Sequence, residues 1–348
     1  MQHDIQTLTE IYGQPTAWRN SLQMLASTDL HALVAGHPPT SQEWVFVGCG
    51  TSFYLAQAAA ASLTSLLGVP ARAVPASEIL LFPALTLPQG ASRYFPVLIS
   101  RSGHTSEVLQ VASLLQSKGV EFLAVTCDGR ELAEMTPRVL KLPVVEESTV
   151  MTSSFTSMVL GLQYLAAVLA KDDAFLFALG TLPGHLERLL KTYGPQVESF
   201  ARQPVEDFAF LGQGALYAIA QETALKVMES SSSYAQFFHA LEFRHGPKSV
   251  VGPETVVGSL LSESAFEAEA AVLKEMKELG SRTLAITNLA TAELRKSADL
   301  LIELDLPVPE LARLIVYVVW GQLLGSYRGL EKGLNPDNPR NLSRVVTI

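Results

Sequence analysis

The sequence predicts an α/β protein built from two similar parallel sheets, each covered by helices on both faces. Short β-branched and aromatic runs, such as residues 44–48, are followed at once by Ala- and Leu-rich segments with helical spacing. Such strand–helix pairs alternate through the first half, an order typical of a doubly wound parallel sheet. The same order returns from about residue 207, so we expect an internal repeat with pseudo-twofold symmetry.

The composition is that of a folded protein with two domains. The 348 residues are 48% apolar and 17% charged, which excludes a disordered chain. Acidic residues outnumber basic ones by 34 to 25, and no cluster of Lys or Arg interrupts this excess. We therefore expect neither a nucleic-acid partner nor binding to an anionic membrane surface.

Cysteine usage and the apolar segments indicate a cytoplasmic protein. Cys49 and Cys127 are far apart and match neither a metal-ligand spacing nor a disulfide framework, which indicates a reducing compartment. The first residues are polar and show no leader pattern. The longest apolar segments are interrupted by polar or charged residues before they reach the roughly 20 residues that a membrane span needs.

We expect four segments along the chain. A helical lead at 1–40 precedes a first α/β subdomain at 41–175, and a second subdomain follows at 176–330. The tail at 331–348 contains Pro and Asn residues that disfavour a helix.

Two strand-to-helix loops of the first half are rich in hydroxyl groups. In an open parallel sheet, ligands bind beyond the carboxyl ends of the strands, where helix N-termini present free N–H groups to an anion. Neither loop has the glycine spacing or the lysine of a nucleotide site, which favours a phosphate cradle. Each hydroxyl alone is equally well explained as a helix cap. The loops consist of Cys49, Gly50, Thr51 and Ser52, and of Ser100, Arg101, Ser102, Gly103, His104 and Thr105, with a weaker polar run at 148–154.

Residues 224–247, in the second half, carry groups for proton transfer; we expect a helix, then a polar run, then a loop. Lys226 and Glu229 lie three residues apart and share a helix face, together with Glu222, and His245 follows in the loop. A carboxylate can move a proton next to a carbonyl, while an amine stabilises the negative charge that develops. Spacing alone favours surface ion pairs for the helix residues and a structural role for His245.

Five motifs occur in order along the chain: GCGTS (48–52), SRSGHT (100–105), ALKxxE (224–229), the HGP of EFRHGP (242–247) and NPRNLSRVVT (338–347). Together they resemble the SIS (sugar isomerase) family, including the isomerase half of glucosamine-6-phosphate synthase and the AgaS-type sugar-phosphate deaminases. The order and number of the motifs carry the resemblance more than any one of them. The glutaminase half of the synthase has no counterpart here, so glutamine-dependent amination is not expected.

The resemblance implies two flavodoxin-like subdomains, no metal or cofactor, and a homodimer with active sites near its interface. It implies that Glu229 moves a proton between C1 and C2 of a hexose 6-phosphate and that Lys226 stabilises the enolate or enolamine. His245 would assist ring opening, and the resemblance leaves open whether it acts in its own subunit or the neighbouring one. The phosphate would be held by Ser52, Ser100, Ser102 and Thr105, with Cys49, Gly50, Thr51, Arg101 and Arg344 also at the substrate.

The tail differs from the synthase at one position, where Arg344 stands in place of a lysine that can form a Schiff base with a ketose. A guanidinium stays protonated and cannot form that imine, although it can bind phosphate or carboxylate. The first interpretation is therefore a deaminase that acts on glucosamine or galactosamine 6-phosphate. A fructosamine-6-phosphate deglycase and, in another class, a non-catalytic sugar-phosphate sensor remain open.

Overall fold

The computed structural model describes residues 5–87 and 94–344, which form two compact units. The N-terminal unit comprises residues 13–147, 153–181 and the described tail residues 343–344. The C-terminal unit comprises residues 5–12, 148–152 and 182–342. The first four residues of the predicted helical lead and the last four of the predicted tail lie outside the described residues.

The N-terminal unit contains a parallel sheet that is five-stranded within the described residues, with the order β2-β1-β3-β4-β5. This is the flavodoxin-like order, so the predicted fold class is confirmed. Val45 and Val47 pack with helix residues on one face, and their neighbours Trp44 and Phe46 point to the other. The strands are β1 (Glu43–Gly48), β2 (Ala71–Pro75), β3 (Tyr94–Ile99), β4 (Leu123–Thr126) and β5 (Val139–Lys141).

Helices cover this sheet and include one long apolar segment, Ser153–Ala170. That helix is long and apolar enough to cross a membrane by composition, and 78% of it is buried inside the protein, as in a core helix. The helices up to this point are α1 (Gln6–Ala26), α2 (Leu30–Leu33), α3 (Thr51–Leu67), α4 (Ala76–Leu81), α5 (Pro83–Thr86), α6 (Ser106–Ser117), α7 (Arg130–Glu134) and α8 (Ser153–Ala170).

The C-terminal unit repeats the topology, with a parallel sheet of five described strands in the order β10-β9-β8-β6-β7. One of these, Tyr234–His239, falls where a polar run and loop were predicted; it is a partly exposed edge strand. The strands are β6 (Asp207–Gly212), β7 (Tyr234–His239), β8 (Thr255–Leu260), β9 (Arg282–Thr287) and β10 (Leu300–Glu303). The remaining helices are α9 (Asp173–Ala201), of which residues 182–201 belong to this unit, α10 (Ala215–Ser231), α11 (Phe266–Glu278), α12 (Ala292–Ser297) and α13 (Leu314–Glu331).

A glycine turn of the same shape begins the first strand–loop–helix unit of each sheet. Gly50 caps α3 with φ 53° and ψ −125°, and Gly214 caps α10 with φ 54° and ψ −130°. A side chain is strained at positive φ, so glycine is required at both positions. The repeat inferred from the sequence therefore extends to the backbone angles of this turn.

Helix α10 packs closely against α13 because three glycines of α13, spaced four residues apart, face it. A Cβ atom added at Gly321 would lie 2.5 Å from the Thr223 side chain, and one added at Gly325 would lie 2.6 Å from the Lys226 carbonyl oxygen. A Cβ atom at Gly329 would lie 2.1 Å from the Ser230 carbonyl oxygen. The two backbones approach so closely that the position of α10 is fixed.

We predict that Gly325→Ala lowers the free energy of unfolding by about 1–3 kcal/mol, because the added methyl group collides with the backbone of α10. Gly184→Ala is the matched control, since Gly184 lies in α9 and a Cβ atom added there would meet nothing within 4 Å. Alanine there should raise stability by about 0.5–1 kcal/mol, the usual gain over glycine in a helix. Urea unfolding measures both values, and a stabilised Gly325→Ala variant would contradict the close packing.

Candidate functional site

The loop after β3 in the N-terminal unit brings its hydroxyl groups together. The Ser100 and Thr105 hydroxyl oxygens lie 2.9 Å apart, and the Gly103 N–H donates to the Ser100 Oγ at 3.1 Å. The His104 N–H donates to the Ser102 Oγ at 3.1 Å. Thr105 occupies the N-cap position of α6, yet its hydroxyl makes no capping hydrogen bond. The hydroxyls can rotate to donate to an oxyanion, which is the chemistry that the sequence predicted for this loop.

The loop after β1 supplies a second set of polar groups at the start of α3. Gly50, rather than Thr51 or Ser52, is the N-cap, and both hydroxyl residues are buried in the first turn. Burial raises the pKa of the half-buried Cys49 thiol to about 11, and the nearby Glu107 carboxylate adds to this effect. Cys49 is therefore a neutral thiol near pH 7, which suits a weak hydrogen-bond donor better than a nucleophile.

Arg101 is buried within the N-terminal unit, and its guanidinium is held by protein groups. One nitrogen lies 3.0 Å from a carboxylate oxygen of buried Glu146, and another donates to the Arg344 carbonyl at 3.1 Å. The Ser154 N–H also donates to Glu146, at 3.1 Å. These contacts join the hydroxyl loop to the segment before α8 and to the tail. The substrate contact predicted for Arg101 stays a prediction. Glu146 is a residue that the sequence analysis missed.

Arg344 lies at the surface of the same unit with part of its guanidinium engaged. One nitrogen donates to the Glu146 carbonyl at 2.5 Å, and the guanidinium is 3.9 Å from the Asp128 carboxylate. The side chain is 41% exposed, so a solute can reach it. An arginine in this setting can bind an anion while keeping its contacts with the protein.

Helix α10 of the C-terminal unit carries a lysine between two glutamates. The Lys226 ammonium lies 3.2 Å from the Glu222 carboxylate and 2.5 Å from the Glu229 carboxylate. Lys226 is 1% exposed, Glu222 is fully buried and Glu229 is 19% exposed. The residues are ion pairs, as spacing alone suggested, but they are buried ones. Only the Glu229 end of the trio reaches solvent.

The charge state of Lys226 follows from these neighbours. Burial by itself lowers the pKa of a lysine, because the ammonium loses its hydration. The Glu222 and Glu229 carboxylates outweigh that effect and raise the pKa of Lys226 above its usual value. Lys226 is therefore a permanent cation at neutral pH, suited to stabilising negative charge rather than to acting as a base.

His245 lies on the surface of the C-terminal unit, in a loop that is tied to α11. Arg244 and Lys248, on either side of it, pair with Glu275 at 3.0 and 2.5 Å. The His245 N–H donates to the Glu242 carbonyl at 3.0 Å, and among the described residues its ring makes no hydrogen bond. The anchored loop holds an imidazole whose two nitrogens are open to a ligand or a second subunit.

Within residues 5–87 and 94–344, no three His, Cys, Asp or Glu side chains lie together in a way that could hold a metal ion.

One protein family matches the chain over more than half of its length. A family model described as the SIS domain matches residues 41–168 and 206–319. The chain is 28% identical over 346 residues to a glutamine–fructose-6-phosphate aminotransferase of Methanothermobacter thermautotrophicus, covering 98% of this chain and 57% of that protein. It thus spans little more than half the length of the curated relatives that it matches.

Solved structures match the chain over nearly its full length. A glucosamine-6-phosphate deaminase from Thermotoga maritima has a TM-score of 0.82 at 26% identity and covers 99% of this chain and 100% of that one. A tagatose-6-phosphate ketose/aldose isomerase from Escherichia coli has a TM-score of 0.85 at 22% identity and covers 97% and 95%. At 22% identity, the similarity to the tagatose-6-phosphate isomerase is one of fold alone.

We predict that Arg101→Met lowers the free energy of unfolding by about 3–5 kcal/mol, because it leaves the buried Glu146 carboxylate without its cation. Arg202→Met is the control, since Arg202 pairs with Glu198 on the surface, where such pairs contribute less than about 1 kcal/mol. Urea unfolding compares the two variants. Equal losses would show that the Arg101 pair has no special structural role.

Proposed function

The chain belongs to the SIS domain family, and on that premise we propose that it is a sugar-phosphate isomerase that releases ammonia from an amino-hexose 6-phosphate. The observation that carries the proposal is the buried Glu222–Lys226–Glu229 trio, of which only Glu229 reaches solvent. A surface ion pair needs no buried lysine. A proton-transfer site needs a reachable carboxylate with a fixed positive charge beside it.

Glu229 is proposed as the base that shifts the double bond of the open-chain sugar. It removes the proton from C2, next to the C1 aldehyde, and returns it to C1, while the C1 oxygen gains a proton and the nitrogen on C2 loses one. The product carries a C=N bond at C2, which water hydrolyses to the ketose phosphate and ammonia. The Lys226 ammonium, 2.5 Å from Glu229, stabilises the negative charge of the intermediate between the two proton transfers.

The hydroxyl loop is proposed to bind the phosphate of the same substrate. Ser100, Ser102 and Thr105 offer neutral donors, and the chain as a whole carries a net charge of −9. A phosphate therefore needs local donors of this kind. Arg344 fits a substrate that already carries its nitrogen, because a guanidinium cannot form an imine with a ketose.

A fructosamine-6-phosphate deglycase is the second candidate, favoured by the exposed guanidinium of Arg344. Such a substrate carries an amino acid on C1. The carboxylate of that amino acid needs a cation, whereas an amino-hexose 6-phosphate has no such carboxylate. Assays for both products separate the candidates: ammonia from glucosamine and galactosamine 6-phosphate, and a free amino acid from fructoselysine 6-phosphate. Binding of these compounds without any turnover would point to a sensor and against both enzymes.

We predict that Glu229→Gln lowers kcat by about 10²- to 10⁴-fold, since the amide cannot accept the proton. The affinity for the sugar phosphate should stay within a few-fold, because the hydroxyl loop is untouched. Glu278→Gln, an exposed position at the end of α11, is the matched control and should keep its rate. Steady-state kinetics and calorimetric binding measure both, and an active Glu229→Gln enzyme would refute the proton-transfer role.

We further propose a homodimer in which His245 acts on the substrate bound by its neighbour, since its ring nitrogens are open to a second subunit. Glu229→Gln and His245→Ala should each be inactive alone. When they are co-expressed in equal amounts, half of the dimers are mixed and each contains one intact site. Activity should then recover to about a quarter of the wild-type value. No recovery would place both groups in one subunit, and light scattering checks the dimer itself.

A further inference from the structure

A cavity of about 470 Å³ opens in the N-terminal unit at the carboxyl ends of β4 and β5. Its polar lining comes from Asp128, Arg130, Lys141 and Arg344. Its apolar wall is the segment 142–145, which follows β5. The proposed function uses only Arg344 of this set, so the cavity is not explained by it.

The charge of the cavity is positive and suits an oxyanion. Three cations face one carboxylate, and Arg344 lies 3.9 Å from that carboxylate, on Asp128. The side chains of Arg130 and Lys141 make no hydrogen bond or ion pair within the part of the chain that the structure describes. Guanidinium and ammonium groups with open donors bind carboxylate and phosphate through charge-assisted hydrogen bonds.

The apolar wall limits what accompanies the oxyanion. Leu142 is fixed to the sheet by its N–H, which donates to the Thr126 carbonyl at 2.9 Å. Val145 is exposed beside it, in a position where a polar side chain would be usual. A small organic anion with a short hydrocarbon part suits this wall better than a bare inorganic ion.

The cavity is joined to the hydroxyl loop by backbone contacts. The N–H groups of Cys127 and Asp128 both donate to the Arg101 carbonyl at 3.0 Å. Gly103 packs so closely on Gly129 that a Cβ atom would lie 2.0 Å from its carbonyl oxygen. The two loops therefore form one rigid assembly, with neutral hydroxyl donors in one part and cations in the other.

The backbone at Arg130 supports a functional reason for its side chain. Its φ of 37° lies in the left-handed region, where glycine is relaxed and an arginine is strained. Strained residues that persist in a fold are concentrated at ligand sites.

We propose that this basic cavity is a second anion subsite, distinct from the phosphate position of the hydroxyl loop, that binds a carboxylate or phosphate of a small organic ligand. In the form that rests on the proposed function, the oxyanion is a carboxylate attached to the nitrogen of the amino-sugar phosphate, and the same reaction then releases an amino acid in place of ammonia. The same chemistry also fits a separate small anion, and binding measurements distinguish the two sources.

Calorimetry in a Glu229→Gln background, which avoids turnover, compares glucosamine 6-phosphate with its N-carboxymethyl derivative. The derivative should bind about tenfold more tightly, the effect of one charge-assisted contact. Lys141→Met should remove that gain, whereas Lys118→Met, an exposed lysine outside the cavity, should keep it. Arg130→Gly should also reduce the gain without loss of stability, because glycine relaxes the backbone there.

Malonate, titrated alone, tests the separate anion and does not depend on the proposed function. For an independent ligand, Lys141→Met should abolish malonate binding and Lys118→Met should preserve it. This result, without a gain for the N-carboxymethyl derivative, would support the subsite with an independent ligand. The subsite is refuted if neither ligand responds to Lys141→Met, or if Lys118→Met gives the same loss. Failure of the sugar phosphates to bind at all, with malonate still bound, would count against the proposed function only.

Discussion

Helix α10 has to accommodate a buried lysine ammonium that has lost its hydration. An unpaired buried charge costs several kcal/mol, so Lys226 requires both Glu222 and Glu229 within ion-pair distance. The spacing of four and three residues provides this on a single helix. The glycines of α13 bring a second backbone against the same helix and leave no room for solvent on that side. The result is a charged group whose surroundings cannot relax.

The two glutamates of this trio differ in exposure, and this difference decides which of them a ligand can reach. Glu222 is fully buried and Glu229 is partly exposed, so the Glu222 end of the trio is held inside the protein while the Glu229 end can meet a ligand. A field fixed in this way does not have to reorganise during a reaction, which is why preorganised charges are effective in catalysis. In the N-terminal unit, Arg101 and Glu146 form a comparable buried pair, yet their contacts stay within the protein.

The sequence predicted the parts of the fold that depend on local pattern. Buried parallel strands such as β1 and β8 appear as continuous apolar runs between turn residues, and the Gly-x-Gly turns mark where the repeat begins. The edge strand β7 was missed, because only part of its surface is buried and its apolar pattern is weak. Lys226 and Glu229 were predicted together because three residues on a helix fix their proximity.

Residues whose partners are distant in sequence could not be predicted in the same way. The contacts of Arg101 with Glu146 and Arg344, 45 and 243 residues away, are of this kind, and its predicted ligand contact stays a prediction. The exposure of Glu229 is also a tertiary property, since it depends on which helix covers the rest of α10. Neither the partners of Arg101 nor the exposure of Glu229 can be read from a single sequence.

The two glycine turns have a consequence for how the halves of the chain differ. A backbone angle that only glycine tolerates fixes where the helix begins, and it leaves the side chains that follow free to change. After Gly50 the chain places Thr51 and Ser52, and after Gly214 it places Ala215 and Leu216. The two halves thus place their polar groups differently: the first has hydroxyl residues at the helix start, and the second has its charged trio further along the helix.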